Sequence, residues 1–167
     1  FGNVPTTVIL NRPRTTLILG EDLDNTTTGT GANGVGKTTV LNALVYAVYD
    51  KPISDISKDN LVNNINKKNM EVTIEFDVDE KQYKIHRARK MKSGAAGNWV
   101  HLYENGKDIT PDSVGNTNEL IERIIGINYE LFVRIIAFSA NHTPFLDLPV
   151  SSHYAASQKG IIEELFD

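Results

Sequence analysis

The chain has 167 residues, of which 40% are hydrophobic, and this is enough for one domain with a hydrophobic core. The net charge of −4 at pH 7 excludes a protein-wide basic field, so any nucleic-acid contact has to be a local patch. Cysteine is absent, which excludes disulfides and cysteine-ligated zinc and fits a reducing compartment. No apolar run approaches the ~18 residues of a membrane span, and no signal peptide is visible, so we expect a cytoplasmic location without membrane contact.

Two apolar segments near the start of the chain have the composition of strands. They are Thr6–Leu10 and Thr15–Leu19, and the turn formers of Asn11–Arg14 separate them. The following segment, Glu21–Thr30, is polar and rich in turn formers, so we expect an inserted loop. This loop is either a surface bulge or a flap beside a nucleotide.

The next segment, Gly31–Thr38, matches the phosphate-binding pattern G-x-x-x-x-G-K-[ST] without a mismatch. An apolar strand-like run precedes it, and apolar residues at helical spacing follow from Val40 to Val48, as the pattern requires. Its glycines allow backbone N–H groups to converge on phosphate oxygens, and the helix start adds a positive dipole end. We therefore expect Lys37 to reach the β- and γ-phosphates of a nucleotide and Thr38 to bind Mg²⁺. A glycine-rich turn that matches by chance is the alternative.

Two β-hairpins are predicted after the motif helix, which we expect to end near Tyr49. Period-2 alternation of apolar and polar residues identifies the first hairpin, and the pair Asn105-Gly106 predicts a tight turn in the second. A flexible loop, Ser93–Gly97, joins them. The predicted strands are Val72–Val78, Gln82–Arg89, Val100–Glu104 and Lys107–Thr110.

The last third of the chain is predicted to be mainly helical. Asn116 is a plausible helix start and Gly126 a plausible stop. The predicted elements are the helix Glu119–Ile125, the helix Tyr129–Arg134, the strand Ile135–Phe138 and the helix Ser157–Phe166. One strand–helix unit followed by hairpins and helices differs from the regular β–α alternation of a small kinase or GTPase.

Nucleotide hydrolysis also needs a Mg²⁺-side carboxylate and a group that orients water. Glu75 and Asp77 are the best carboxylate candidates, but they lie on the polar side of a hairpin strand, which favours a solvated face. The sequence Asn66–Asn69 lacks the Asp of a guanine-reading motif. The chain is therefore predicted to hold only half of a hydrolytic site.

A basic stretch, Lys81–Lys92, contains six Lys or Arg residues among twelve and no acidic residue. It is either a patch for DNA phosphates or a charged hairpin that protects a sheet edge. Arg87 has the parity of a core residue, so it either reaches past the sheet edge or pairs with a buried acid. Trp99 and His101 are interpreted as packing residues. The candidate DNA-contacting residues are Lys84, Arg87, Arg89, Lys90 and Lys92.

Several local strings and the order of the elements resemble the N-terminal lobe of SMC-like DNA-repair ATPases. Among these, the sequence is most similar to the large subunits of tailed-bacteriophage recombination endonucleases. The resemblance covers essentially the whole chain. The strings that carry it are Gly34–Thr39, Asp50–Pro52, Leu61–Asn63, Asn66–Lys68, Tyr83–Arg87, Ile124–Gly126 with Tyr129 and Phe132, Thr143–Leu146 and Ile162–Leu165.

The resemblance implies an α/β fold of the P-loop NTPase type, in which residues 1–167 form a single N-terminal lobe of an ABC-type ATPase head. Antiparallel β-hairpins lie beside the P-loop strand–helix unit in this lobe, and a coiled coil and a C-terminal lobe would follow. The implied ligands are ATP and Mg²⁺. The implied partners are a nuclease subunit, the protein's own C-terminal lobe, a second head in a homodimer and double-stranded DNA, in the cytoplasm of the host if a phage encodes the protein.

The nucleotide-binding residues carry over by position. They are Asn33, Gly34, Val35, Gly36, Lys37, Thr38 and Thr39, with Arg12 and Arg14 as weaker matches from the preceding turn. Such ATPases place a Gln after the strand equivalent to Ile135–Phe138, where it contacts Mg²⁺ and the hydrolytic water. Here the string is Ser139–His142, so Ser139 or Asn141 is the candidate substitute.

Two other functions remain open from the sequence. A compact nucleotide or metabolite kinase fits the length, although the hairpin-rich order of elements disfavours it. A regulatory module that holds nucleotide without hydrolysing it fits the missing Gln.

Overall fold

The computed structural model describes residues 4–20, 36–92, 97–138, 142–151 and 157–166. Four α-helices and four β-strands lie within these ranges, together with short 3₁₀ segments at Lys58–Leu61 and Phe145–Asp147 and a π-helical turn at Phe132–Ile136. The helices are α1 (Lys37–Tyr49), α2 (Val114–Ile125), α3 (Tyr129–Leu131) and α4 (Gln158–Phe166). The strands are β1 (Met70–Val78), β2 (Lys81–Arg89), β3 (Trp99–Glu104) and β4 (Lys107–Asp108). Within the described ranges no helix is long and apolar enough to cross a bilayer.

The four strands form one antiparallel sheet in the order β1-β2-β3-β4. The alternation predicted for the first hairpin is confirmed, because Ile74, opposite Ile85, faces inward while its polar neighbours along β1 face outward. The predicted Asn105-Gly106 turn is also confirmed, and both residues have the positive φ that such a turn requires. Residues 93–96, in the loop predicted between the hairpins, lie outside the described residues.

The core lies between the inner face of this sheet, α1 and α2. Its centre is apolar, and Val45, Ile85, Leu102 and Ile121 are completely buried there. Tyr49 at the end of α1 also donates a hydrogen bond to the Ile127 carbonyl at 3.0 Å. The motif helix is thus packed along its C-terminal half, which leaves its N-terminal end at the surface.

The helix α2 begins earlier than the predicted Glu119. Ser113 caps it by accepting a hydrogen bond from the Asn116 amide, so the first helical residue is Val114. Its predicted stop is confirmed, because Gly126 adopts φ 78° as the C-cap. The predicted helix at the end of the chain is also present, as α4.

The predicted strand Ile135–Phe138 is wrong. Asn128 caps the short helix α3, and the chain continues from it into the π-helical turn, which closes with an Ala137 N–H to Phe132 carbonyl bond of 2.9 Å. Within the run, Ala137 is buried whereas Ile135, Ile136 and Phe138 are exposed, so the run lacks the alternating burial of a half-buried strand. The apolar composition of the run alone did not distinguish a helical turn from a strand.

The predicted strands Thr6–Leu10 and Thr15–Leu19 are also not formed, because residues 5–20 have no strand assignment. Their apolar side chains are exposed, and Leu19 reaches 80% exposure. A strand needs a hydrogen-bonded neighbour, and none of the described strands lies beside this segment. The predicted loop Glu21–Thr30 lies outside the described residues.

Candidate functional site

The described part of the phosphate motif is the junction between its last glycine and α1. Gly36 adopts φ 95°, a conformation that only glycine takes without strain, and Lys37 is the first residue of the helix. The Thr39 amide bonds back to the Gly36 carbonyl at 3.0 Å. Lys37, Thr38 and Thr39 are all exposed, so their side chains lie at the surface where the motif requires them. Asn33, Gly34 and Val35 lie outside the described residues.

The start of α1 suits an anion. Among the residues that the structure describes, no side chain caps its N-terminus, and its first turn contains no acidic residue. Caps and acidic residues are the groups that ordinarily occupy helix N-terminal amides. The lysine, the hydroxyls and this uncapped helix end together fit the phosphates of a nucleotide and a Mg²⁺ ion bound to them.

The opposite end of α1 is held by Arg87 of β2, which is only 2% exposed. Its Nε donates to the Ala47 carbonyl at 3.1 Å, and its Nη2 donates to the Asn118 side chain at 2.8 Å. Asp50, the C-cap of α1, lies 3.7 Å from Nη1. The guanidinium therefore joins α1, α2 and the sheet.

Arg87 was expected to contact DNA, and this expectation is corrected. Its guanidinium is buried, and burial lowers its pKa while the Asp50 carboxylate acts to raise it. The prediction that Arg87 points to the core side of its strand is confirmed, and Asp50 is the acid with which it pairs. Asp50 also bonds Lys58 at 2.6 Å, so two cations share this carboxylate.

The rest of the basic stretch is divided between two surfaces. Lys84 lies on the outer face of the sheet, where its ammonium is 3.2 Å from Glu75. Glu75 is exposed, so the solvated face predicted for it is observed. Arg89 and Lys90 instead meet at Asp59, at 2.6 and 3.0 Å. Hydrogen bonds from Lys90 and Arg89 hold the pKa of Asp59 below its usual range.

A basic cluster forms where the first hairpin opens, and it consists of Lys68, Arg89, Lys90 and Lys92. The Lys92 amide donates to the Asn69 side chain at 2.9 Å, which brings the two ends of the hairpin together. The neighbouring Lys92 lowers the pKa of Lys68. Asp59 is the only carboxylate paired with the cluster among the described residues.

Lys68 was not among the predicted DNA-contacting residues, although a signal for it exists in the sequence. The hairpin register pairs Met70 with Arg89, so residues just before β1 must lie beside residues just after β2. An antiparallel pairing predicted from the alternation alone would thus have placed Lys68 near Lys92.

The remaining candidate residues of the nucleotide site are Arg12, Arg14, Ser139 and Asn141. Arg12 and Arg14 are exposed and line a surface depression of about 400 Å³ together with Pro13 and residues 15–17. Ser139 and Asn141 lie outside the described residues. In those parts of the chain that the structure describes, no group of three or more His, Cys, Asp or Glu side chains could hold a metal ion.

Comparison with known proteins agrees with the phosphate motif. A family model described as an AAA domain matches residues 13–151. The chain is 30% identical over 140 residues to exonuclease subunit 2 of Enterobacteria phage T4 and 31% identical over the same length to exonuclease subunit 2 of Escherichia phage RB69. It is also 24% identical over 147 residues to the C subunit of nuclease SbcCD of Staphylococcus aureus (strain JH9).

These alignments cover most of this chain but a small part of each relative. They span 83% of the chain and 23% of either phage protein, and 82% of the chain and 14% of the S. aureus protein. The chain thus spans about a quarter of the length of the phage relatives. The resemblance to SMC-like nuclease ATPases predicted from the local strings is confirmed.

Proposed function

The chain belongs to the AAA domain family of P-loop NTPases, and from this premise we propose that it is the N-terminal, ATP-binding lobe of a DNA-repair ATPase that works with a nuclease subunit. The observation that carries the proposal is the phosphate motif of Gly31–Thr38 at the uncapped start of α1. The names of the relatives, which are subunits of an exonuclease and of the nuclease SbcCD, support the nuclease partner.

Each residue at the start of α1 has a separate role in the proposed binding of ATP. The glycines before Lys37 let the backbone approach the phosphates, and Lys37 supplies a positive charge to the β- and γ-phosphates. Thr38 offers a hydroxyl to Mg²⁺, which neutralises charge on the phosphates when it is bound. Arg12 and Arg14 are the proposed additional contacts to nucleotide, and Ser139 and Asn141 the proposed substitutes for the usual Gln.

The lobe is proposed to hold ATP but to hydrolyse it only with a complementary lobe and a second ABC-type head. Six apolar side chains within residues 5–19 are exposed, Leu17 and Leu19 most of all, and this supports a face that another element covers. The protein's own C-terminal lobe is the proposed element. The ATP sandwiched between two heads would then drive a DNA-linked conformational change.

The direct test is the DNA-stimulated ATP turnover of the full-length protein with and without Lys37→Ala. We expect the variant to lose ATP binding and turnover, since nothing else at the start of α1 supplies the charge of Lys37 to the phosphates. Lys107→Ala, which removes an exposed lysine from β4, is the matched control and should retain both. Unchanged turnover in Lys37→Ala would refute the proposed site. ATP binding without any turnover in the wild type would instead identify a module that only holds nucleotide.

Double-stranded DNA is the proposed ligand of the basic cluster. Lys68 and Lys92 lie at the open end of the hairpin, where Asp59 is the only carboxylate paired with the cluster among the described residues. Such a group of cations is a favourable place for a phosphate, and each phosphate contact adds salt-dependent affinity. Charge reversal at Lys68 and Lys92 should weaken DNA binding and reduce the slope of log affinity against log salt by about 2. Reversal at Lys84, whose ammonium already pairs with Glu75, should have a smaller effect. Equal affinities and slopes for all variants would exclude the cluster.

A further inference from the structure

The outer face of the sheet carries an ordered grid of side chains that the nucleotide site does not use. The antiparallel registers align them in rows across the strands. One row contains Glu71, Ala88 and Trp99, the next contains Thr73, His86 and His101, and the third contains Glu75, Lys84, Tyr103 and Asp108.

Aromatic rings form a continuous line along this face. The His86 ring lies 4.7 Å from Trp99 in an edge-on arrangement, and Trp99 lies 5.0 Å from His101. His101 in turn lies 6.3 Å from Tyr103. The line is accessible, because the His101 side chain is 43% exposed and both Trp99 and Tyr103 are half-buried. The packing role expected for Trp99 and His101 therefore accounts for only one side of these rings.

Carboxylates border the aromatic line on both edges of the sheet. Glu71, Glu75 and Asp77 project from β1, and Asp108 projects from β4. Glu71 lies 3.0 Å from the His86 ring and Glu75 lies 3.2 Å from Lys84, so a docking cation would share these carboxylates with residues of the sheet. Lys84 is the one lysine or arginine among the paired strand residues of this face. Hydrogen bonds from Thr110 hold the pKa of Asp108 below its usual range, and His101 lies 3.6 Å away, so this carboxylate is ionised at neutral pH.

We propose that this acidic, aromatic sheet face docks an arginine-bearing segment of a partner protein. A guanidinium stacks on aromatic rings and pairs with two carboxylate oxygens at once, and the face offers rings in its centre and carboxylates along its borders. The face is opposite in charge to the basic cluster at the open end of the same hairpin.

Charge decides against nucleic acid as the occupant. Aromatic rings on an antiparallel sheet also suit unpaired bases, but such platforms lie in positively charged grooves that attract the phosphates. Here four carboxylates face a single lysine and two histidines, His86 beside Glu71 and His101 beside Asp108, so with neutral histidines the face is negative and repels phosphates. Arginine is favoured over lysine because the planar guanidinium uses both the rings and the carboxylates, whereas an ammonium is a hydrated point charge.

The test uses the full-length protein and three labelled probes: a nine-residue arginine peptide, a nine-residue lysine peptide and a twelve-nucleotide thymidine strand. Fluorescence anisotropy at 150 mM salt gives their affinities. The arginine peptide should bind more tightly than the lysine peptide, and Trp99→Ala with Tyr103→Ala should weaken it about tenfold, since each ring contact with a guanidinium contributes modestly at an exposed site.

Two further variants separate this face from general attraction to acidic surface. Glu71→Gln with Glu75→Gln should weaken the arginine peptide, whereas Asp112→Asn with Glu119→Gln, which removes exposed acids beside and on α2, should leave it unchanged. Equal binding of both peptides, unaffected by the Trp99 and Tyr103 variant, would overturn the proposal. Loss of thymidine binding in that variant would also overturn it and would identify a base-stacking platform instead.

Discussion

Replacing the buried Arg87 with methionine should destabilise the protein by about 2–4 kcal/mol. Methionine keeps most of the side-chain volume, so the loss comes from hydrogen bonds and charge rather than from a cavity. The Ala47 carbonyl loses its 3.1 Å bond to the guanidinium, and an unsatisfied buried acceptor costs about 1–3 kcal/mol. The Asn118 bond of 2.8 Å contributes the remainder.

The cost stays near the lower end of the roughly 3–5 kcal/mol typical of breaking a buried ion pair. Asp50 has a side chain that is 18% exposed, and it keeps its 2.6 Å bond to Lys58, so its charge is not left without a partner. Arg87→Lys should recover part of the loss, because it retains the charge but not the planar fork.

Urea denaturation followed by circular dichroism measures the effect, and the melting temperature should fall by about 5–15 °C. Arg123→Met is the matched control, since Arg123 is exposed on α2, and it should change stability by less than about 0.5 kcal/mol. A cost below about 1 kcal/mol for Arg87→Met at an unchanged m-value would refute the reasoning, because the guanidinium would then be solvated in the folded protein.

Three further changes test local features of the fold. Gly126→Ala places a side chain at φ 78° without a clash and should cost about 1–2 kcal/mol of backbone strain, measured by urea denaturation; no change would mean that the helix end is not left-handed. Ser113→Ala removes the cap of α2 and should cost about 1 kcal/mol, whereas Ser113→Asp should retain most of the stability. Asp59→Asn should remove part of the acid dependence of stability. The lowered pKa of Asp59 means that its contribution is present above the unfolded value near ~4 and is lost as the pH falls through the folded value. If the free energy of unfolding changed with pH between 5 and 2 in the same way for the variant and the wild type, this expectation would be contradicted.

The hairpins were predictable from sequence because their signals are local. Alternation along Val72–Val78 determines which side chains face inward, and Asn105-Gly106 determines the type of turn. Both features can therefore be predicted without knowledge of the rest of the fold. The core position of Arg87 followed from the same parity. Its partner Asp50 did not, because the pairing of a helix cap with a strand is a tertiary contact.

The two apolar segments at the start of the chain show the limit of such signals. Thr6–Leu10 and Thr15–Leu19 have strand composition, but a strand also needs a neighbour, and composition does not report whether one is present. The strand prediction for Ile135–Phe138 was wrong for a different reason. Asn128 caps a short helix, and the π-helical turn that follows it includes Ile135 and Ile136. Of the candidate site, the position of Lys37 at the start of α1 was predicted, and the meeting of Lys68 with Lys92 could have been predicted from the hairpin pairing that the alternation implies.

The central claim is that this lobe binds ATP at the start of α1 but needs a complementary lobe to hydrolyse it. The most direct measurement is ATP binding and turnover by the 167-residue protein over a range of protein concentrations. We expect Mg²⁺-dependent ATP binding that Lys37→Ala abolishes, with negligible turnover at every concentration. Turnover at a rate per molecule that does not depend on protein concentration would contradict the claim, because the site would then be complete within this chain.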